Sequence, residues 1–334
     1  MRKILCTGLL VGAFSLSPVF AEKVDLKLKW EPGKRYIFEN TSNSSAAMPF
    51  PGGQGGKMET KGKVTMQLQN DVSKHKEGVR VSNSFSAIKM RQEMQGIVME
   101  FDSEDPSKQG GLIAGMLAPL KDAKFDIIYD ADGNYVKTEG LENFKGAGQL
   151  GMGRAELEAM TQQSSQYLPE KPVAPGDTWE ADVDLPMASM GQAKIRYQFK
   201  FEELVKEGGR EVAKISITGK MRDAVEDGGE ELLKIEAKKV SGTMFFDVGL
   251  GQIIEVTTSL DLELGLPGGL QPAEGAPGKM PMKTVTVQKL VSVKNIAGGG
   301  DTKGATEEKG NLTPEEKKAR RKARKEQRKK AAEE

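Results

Sequence analysis

The chain has one histidine, His75, and one cysteine, Cys6, so the chemistry open to it is narrow. His75 lies in Ser73-Lys74-His75-Lys76-Glu77-Gly78, a charged turn, and a lone imidazole supplies neither a nucleophile-base triad nor an imidazole-rich metal site. Cys6 sits inside an N-terminal apolar run, leaving no thiol beyond it for disulfides, thiolate catalysis or metal ligation. Gly146-Ala147-Gly148-Gln149-Leu150-Gly151 has G-x-G-x-x-G spacing, but no buried parallel strand leads into it. It reads as a glycine linker between halves of the chain. Asp130-Ala131-Asp132-Gly133-Asn134 offers hard oxygen ligands of the kind that open a calcium loop; the remaining ligand series and closing glutamate are missing, and a type I′ hairpin turn accounts for the same residues. Glu202-Glu203 and Glu230-Glu231 fall in turns or at strand ends, where solvated charge is the ordinary state. Neither G-x-S-x-G nor a Walker loop occurs. The expectation is a protein that is not an enzyme and holds no cofactor or metal; a hydrolase would need carboxylates distant in sequence to converge in one cleft.

Two residue classes point to binding instead. Met90, Met94 and Met99 lie close together, while Met48, Met58, Met187, Met190, Met280 and Met282 sit in or beside Pro/Gly-rich segments. Thioethers suit Cu(I), and flexible apolar side chains suit lipid or peptide contact, with ordinary packing as the competing account. At the C-terminus, Thr313 can cap a helix that has Pro314 at its first position and Glu316 reaching back. That helix has no apolar face and carries ten cations against five glutamates: Lys317, Lys318, Arg320, Arg321, Lys322, Arg324, Lys325, Arg328, Lys329 and Lys330. Such a tail contacts anionic lipid or an acidic envelope polymer without sequence-specific readout of nucleic acid, or serves only to solubilise. Formal net charge is +1, so the rest of the chain is net acidic.

The elements that must position these residues are mostly strands. In Lys194–Glu203, Ile195, Tyr197, Phe199 and Phe201 alternate with polar neighbours, as in a half-buried antiparallel strand. The same pattern marks Asp25–Lys29, Arg35–Asn40, Lys61–Asn70, Val79–Gln95, Ile97–Asp102, Phe125–Tyr129 and Tyr135–Thr138. It returns in Val212–Met221, Leu233–Val240, Thr243–Asp247, Ile253–Leu264 and Met282–Lys294. Glycines at Lys76-Glu77-Gly78, Asp132-Gly133, Glu207-Gly208-Gly209 and Asp227-Gly228-Gly229 supply hairpin turns. Only residues 110–120 and 154–168 read as helices inside the body.

Pro-Gly-x-x-aromatic occurs twice, at Pro32-Gly33…Tyr36 and Pro175-Gly176…Trp179, each time before a strand. Each half then runs through a Pro/Met/Gly segment and long strands to a hairpin of one type, residues 125–140 and 242–259. This ordered series predicts an internal duplication in which Pro-Gly sets a sharp turn and the aromatic anchors the strand. The fold class expected is mainly β with a few short helices: two related halves of bent antiparallel sheet, half-barrel-like, plus a C-terminal basic helix. The boundaries are a signal peptide at 1–21, a first β half at 22–150, a second at 151–296, a flexible linker at 297–312 and the tail at 313–334.

Arg2-Lys3, the apolar run from Ile4 to Leu16 and the Val19-Phe20-Ala21 end have the form of a secretory signal cleaved after Ala21. No later segment is apolar for long enough to span a membrane as a helix. The expected location is the periplasm or cell envelope. The series from Met99-Glu100-Phe101-Asp102 through residues 110–144, followed by Leu168–Glu180, resembles a family of exported bacterial proteins known only as a domain of unknown function. The likeness extends over most of residues 22–295, and it implies an envelope protein with no assigned activity. More distantly, long antiparallel strands ending in a D-x-D-G hairpin look like envelope carriers of lipids or lipoproteins, an analogy of architecture.

Two functions follow from this reading. In one, a curved sheet binds a lipid or another apolar ligand through Ile195, Tyr197, Phe199 and Phe201, with Met90 and Met94. In the other, the sheets are filled solidly and the protein is an envelope scaffold whose basic tail docks on an anionic surface. A cavity separates the two.

Overall fold

The computed structural model describes residues 23–49, 57–143, 158, 166–186, 192–222, 235–265 and 279–296. The expected signal segment, glycine linker at 146–151 and Asp227-Gly228-Gly229 turn, most of the second expected helix and the basic tail, with its ten cations, lie outside those residues. Among them, twelve strands form one antiparallel sheet. They are β1 (Lys34–Pro49), β2 (Lys57–His75), β3 (Gly78–Met94), β4 (Ile97–Asp102), β5 (Lys124–Tyr129) and β6 (Tyr135–Glu139). The second set is β7 (Thr178–Pro186), β8 (Gln192–Glu207), β9 (Arg210–Arg222), β10 (Ile235–Asp247), β11 (Gln252–Gly265) and β12 (Lys279–Asn295). The order is β6-β5-β3-β2-β1-β12-β11-β10-β9-β8-β7, with β4 on β3 as a side branch. Helix α1 (Gly111–Lys121) lies between β4 and β5 and packs on both β3 and β4. Two halves of the chain thus join in one continuous sheet through the β1–β12 pair.

The Pro-Gly pairs do what their chemistry suggests. Lys34 N–H donates to the Glu31 carbonyl and Asp177 N–H to the Ala174 carbonyl, closing a four-residue turn in each case. Proline stands second and glycine third, with φ of +84° at Gly33 and +98° at Gly176, the requirement of a type II turn. Each glycine N–H then donates into the neighbouring strand, Gly33 to Val72 O on β2 and Gly176 to Phe201 O on β8. Tyr36 is fully buried and Trp179 stacks on Phe199 at 5.5 Å.

The N-terminal segment Val24–Trp30 differs from the expected strand. Leu26 and Leu28 alternate inward, 0% and 5% exposed, yet the backbone makes one isolated bridge, Val24 with Val173, and otherwise bonds to turns. Lys29 N–H donates to Gly251 O, and Gln252 Nε2 donates to Lys29 O. The alternation therefore serves a strap laid across the sheet. Its path also shows how the sheet bends. The peptide group joining Leu28 to Lys29 donates through its N–H to the β10–β11 turn, while its oxygen lies so close to Gly133 in the β5–β6 turn that a Cβ there would collide with it. Between β5 and β11 lie five strand-to-strand steps, about 24 Å in a flat sheet. One peptide group bridges them, so the sheet curls strongly at this end. Register shifts at Ile37/Phe38, Gln67/Leu68, Ile128/Tyr129, Phe201/Glu203 and Phe245/Phe246 add the local bends such curling needs.

Two smaller differences have simple causes. The strands read as Leu233–Val240 and Thr243–Asp247 are one, because Ser241-Gly242 continues both ladders. The β5–β6 connection spans Asp130–Asn134 and so is not a two-residue type I′ turn. Asp130 Oδ1 accepts from the N–H groups of Asp132 and Asn134, and Oδ2 accepts from Asn134 Nδ2. With these donors its carboxyl is held below the usual carboxylate range, chiefly by the Asn134 side chain.

Candidate functional site

In an antiparallel ladder directly opposed residues share a face, so the register sorts the side chains of the whole sheet. One row runs Met90, Val64, Ser42, Thr286, Thr258, Gly242, Ile217, Phe199, Trp179 from β3 to β7. The adjoining row toward the strap runs Ile88, Met66, Asn40, Gln288, Val256, Met244, Ile215, Phe201. Trp30 of the strap packs on this face, its ring 5.1 Å from Tyr36 and 5.9 Å from Tyr129. The strap-bearing face is therefore the inside of the curl.

Two properties define this inner face. Among the described side chains its charged residues, Lys34, Lys74 and the Lys206–Glu211 pair, all stand at strand ends beside the strap and turns, and none is in register on the stretches of β1, β2, β11 and β12 beyond them. The ion pairs of the sheet belong to the opposite face: Arg35 with Asp71 at 2.6 Å, Arg196 with Asp182 at 2.8 Å, Lys289 with Glu255 at 3.2 Å. The second property is uneven filling. At the strap end Tyr36, Val81, Phe199, Phe201, Ile215 and Phe246 are all 0% exposed, one continuous core. Away from it, Val64, Met66, Met90, Val256 and Leu260 are only half-buried, as are Asn40, Ser42, Thr258, Thr284, Thr286 and Gln288. This partly uncovered trough in β1, β2, β11 and β12 is the candidate site.

The expected site residues divide accordingly. Ile195, Tyr197, Phe199 and Phe201 share one face of β8 but are core, 0–7% exposed, and do not line an accessible surface. They are covered by a segment remote in sequence: the Tyr167 ring lies 5.7 Å from Tyr197 and 5.6 Å from Phe199, and Trp179 Nε1 donates to Tyr167 O. Burial pushes the phenols of Tyr129, Tyr167 and Tyr197 above their ordinary range, so they stay neutral. Met90 and Met94 do lie on the uncovered part. Met90 packs beside a second cluster of Ile88, Phe101, Ala114, Leu117 and Leu120 beneath α1. Met58, Met66, Met99, Met280 and Met282 share the inner face, half-buried, which the scatter of these residues along the chain concealed. The residues missed were Ser42, Thr258, Thr284, Thr286 and Gln288; the Thr-Val-Thr-Val run of β12 was the available signal.

On the outer face, a recess of about 250 Å³ is lined by Lys63, Lys89, Arg91, Lys108, Glu100 and Asp102 among others. Its cations are largely paired: Arg91 and Lys108 to Glu100 at 2.6 and 2.9 Å, Lys89 to Glu104 and Asp102 at 2.8 and 3.4 Å. Hydrogen bonds from Lys108 and then Arg91 hold the Glu100 carboxyl below its usual range. Such exposed networks add little stability and offer a ligand few free charges. Among the described residues, no cluster of three His, Cys, Asp or Glu could hold a metal ion. Nor is any helix among them long and apolar enough to cross a membrane.

The class these observations define is a mainly β protein built on one large open antiparallel sheet. Residues 142–250 match the model of a family of unknown function, DUF6263. That span contains Leu168–Glu180 but excludes most of the residues 99–144 that carried the resemblance, so the match is narrower than the expected 22–295. No curated protein matches the chain. Among solved structures, a lipovitellin described for its lipid–protein interactions aligns at 11% identity and a TM-score of 0.48, over 83% of this chain and 27% of that one. DynF of the dynemicin biosynthesis pathway of Micromonospora chersina aligns at 9% identity and a TM-score of 0.20, over 84% of this chain and 92% of that one. The translocator domain of the autotransporter NalP from Neisseria meningitidis gives 8% identity and a TM-score of 0.18, over 78% and 89%. None of the three alignments establishes a common fold.

Proposed function

We propose that this is an exported, non-catalytic envelope protein whose curled sheet holds an apolar ligand, a lipid or the acyl chain of a lipidated partner, on its inner face. The observation that carries this reading is the contrast within one face, solidly filled beneath the strap and, beyond it, half-covered and without charge. From Asn40 to Ala46 the uncovered stretch of β1 alone extends for about 20 Å. An acyl chain laid there meets Val64, Met66, Met90 and Leu260 on either side of the central strands. Methionine suits the task, because its unbranched thioether repacks around ligands of different shape.

Mass spectrometry of an organic extract of the protein, purified without detergent from envelopes, tests the reading. A stoichiometric lipid is expected, lost from a folded Val64→Arg variant. A clean extract, together with no uptake of a fluorescent fatty-acyl probe, would sink it.

The filled strap end favours a second reading, a scaffold with a solid core whose basic tail docks on an anionic surface. Equal binding of full-length and tail-deleted protein to anionic vesicles would remove that docking role. We also read the matched turns as the trace of a duplication. Counting along the sheet path from β1 and from β7, with the side branch β4 left out, the β5–β6 and β10–β11 hairpins both fall at the fourth and fifth strands, and both meet the strap.

A further inference from the structure

The middle of the inner face has its polarity reversed. On β12, Thr284, Thr286 and Gln288 point inward while Val285 and Val287 point outward, as their partners show: Thr286 opposes Ser42 and Thr258, and Val287 opposes Thr41 and Thr257. A strand needing only a core would slip by one residue and bury its valines. Here seven uncharged polar side chains form one contiguous patch over three strands: Asn40, Ser42 and Ser44 on β1, Thr284, Thr286 and Gln288 on β12, and Thr258 on β11.

Thr286 Oγ1 donates to Ser42 Oγ at 3.3 Å, and the other five make no side-chain hydrogen bond among the described residues. All are half-buried except Ser44, which is exposed. Half-covered donors and acceptors left without partners require water or a ligand that can pair with them. A plain hydrocarbon would strip them of water and return nothing.

The same face excludes anions. Among the described side chains no lysine or arginine is in register on the trough, from Asn40 to Ala46 of β1 and across to their partners, so a carboxylate or phosphodiester drawn into it would lose its water without finding a counter-charge. Resting on the ligand-binding reading above, we infer that the trough selects a neutral amphiphile: acyl chains joined to an uncharged ester- or hydroxyl-bearing head, as in an acylglycerol. The head lies on the Ser/Thr/Gln patch of β1, β11 and β12. The acyl chains lie against Val64, Met66 and Met90 on one side and Val256 and Leu260 on the other.

The test offers the full chain, free of detergent, phosphatidylcholine vesicles holding equal amounts of dioleoylglycerol, oleic acid and phosphatidylglycerol. The protein is then separated by flotation and its lipid quantified by mass spectrometry. Dioleoylglycerol should be enriched at least tenfold over oleate and over phosphatidylglycerol, relative to the vesicle composition. A Ser42→Ala/Thr258→Val/Thr286→Val variant, which removes three hydroxyls without adding bulk, should keep its melting temperature and lose most of that enrichment while still taking up an alkyl probe. Should it fail to fold, the single Thr286→Ser and Thr286→Val variants carry the comparison, the first retaining selectivity and the second reducing it. Uptake of oleate or phosphatidylglycerol at or above the level of dioleoylglycerol overturns the inference and leaves ligand binding intact. Selectivity unchanged in the variants that lack these hydroxyls overturns the role of the patch. No uptake of any lipid or probe overturns both readings.

Discussion

The two ends of the inner face are made by the same strands, yet they differ in kind. Toward the strap, β1 contributes Tyr36 and Phe38, 0% and 7% exposed; farther along it contributes Asn40, Ser42 and Ser44, half-buried or exposed. On the proposed reading such a strand serves two purposes, cohesion at one end and binding at the other. The strap makes the difference on β1, because Leu26, Leu28 and Trp30 supply apolar cover at that end, whereas at the other α1 covers only the side of β3, over Ile88 and against Met66 and Met90.

The largest effect expected from this contrast is at Phe199. Its truncation in Phe199→Ala removes a fully buried ring that touches Trp179, Tyr167 and Tyr197, and should cost about 3–5 kcal/mol in urea unfolding. Val64→Ala, one row member at the uncovered end, should cost less than about 1.5 kcal/mol because its methyl groups are only half-buried. Equal costs would break the contrast and favour the solid scaffold.

Next in size is the clasp between strap and turns. Gly133 has φ of +83°, and a Cβ there would strike the Leu28 carbonyl oxygen, so Gly133→Ala combines backbone strain with displacement of the strap. A loss of about 2–3 kcal/mol is expected, with faster tryptic cleavage at Lys27 and Lys29. Gly96, with φ of +78° and open space around it, is the control. Gly96→Ala should cost about 1 kcal/mol and leave the strap protected. If both variants cleave alike, the clasp does not hold the strap.

Asp130 gives a smaller effect with a definite pH dependence. Its folded carboxyl titrates below the ordinary value near 3.9, so its contribution is present above that value and is lost as pH falls through the folded pKa. Asp130→Asn should lower stability at pH 7 by about 1 kcal/mol and flatten the decline of stability below about pH 4. An unchanged acid limb in guanidinium titrations would show that the turn is held without the carboxylate.

Much of this architecture was legible in the chain. The alternation of Ile195, Tyr197, Phe199 and Phe201 identified an inward face, and the paired Pro-Gly turns identified two strand starts. What alternation does not carry is which part of an inward face is covered, since Tyr167 and the strap arrive from elsewhere in the sequence. Nor could it sort β12. Val285 and Val287 suggest the core by composition, and only the pairing of Thr286 with Ser42 and Thr258 turns them outward. β1 was read as ending at Asn40 for the same reason: its Ser/Asn/Ala continuation lacks an apolar stripe, and its extension to Pro49 is secured by β2 and β12 on either side.

The smallest effect tests the far rim. Ile97 follows the two-residue turn of Gln95 and Gly96, both at positive φ, and it opposes Met94 at the tip of the β3–β4 hairpin. The turn is of the type that needs two left-handed residues and fixes the register by itself, so the hairpin does not depend on its first apolar side chain. Ile97 is 61% exposed. Ile97→Ser should therefore change stability by less than about 0.5 kcal/mol, within the scatter of ordinary surface substitutions. A fall in melting temperature of several degrees would mean that this tip is covered in the folded protein. The trough would then be closed at its rim as well as at the strap, and a ligand would need a separate opening step to reach Met90 and Val64. A null result leaves the rim uncovered and the path to the patch on β1, β11 and β12 direct.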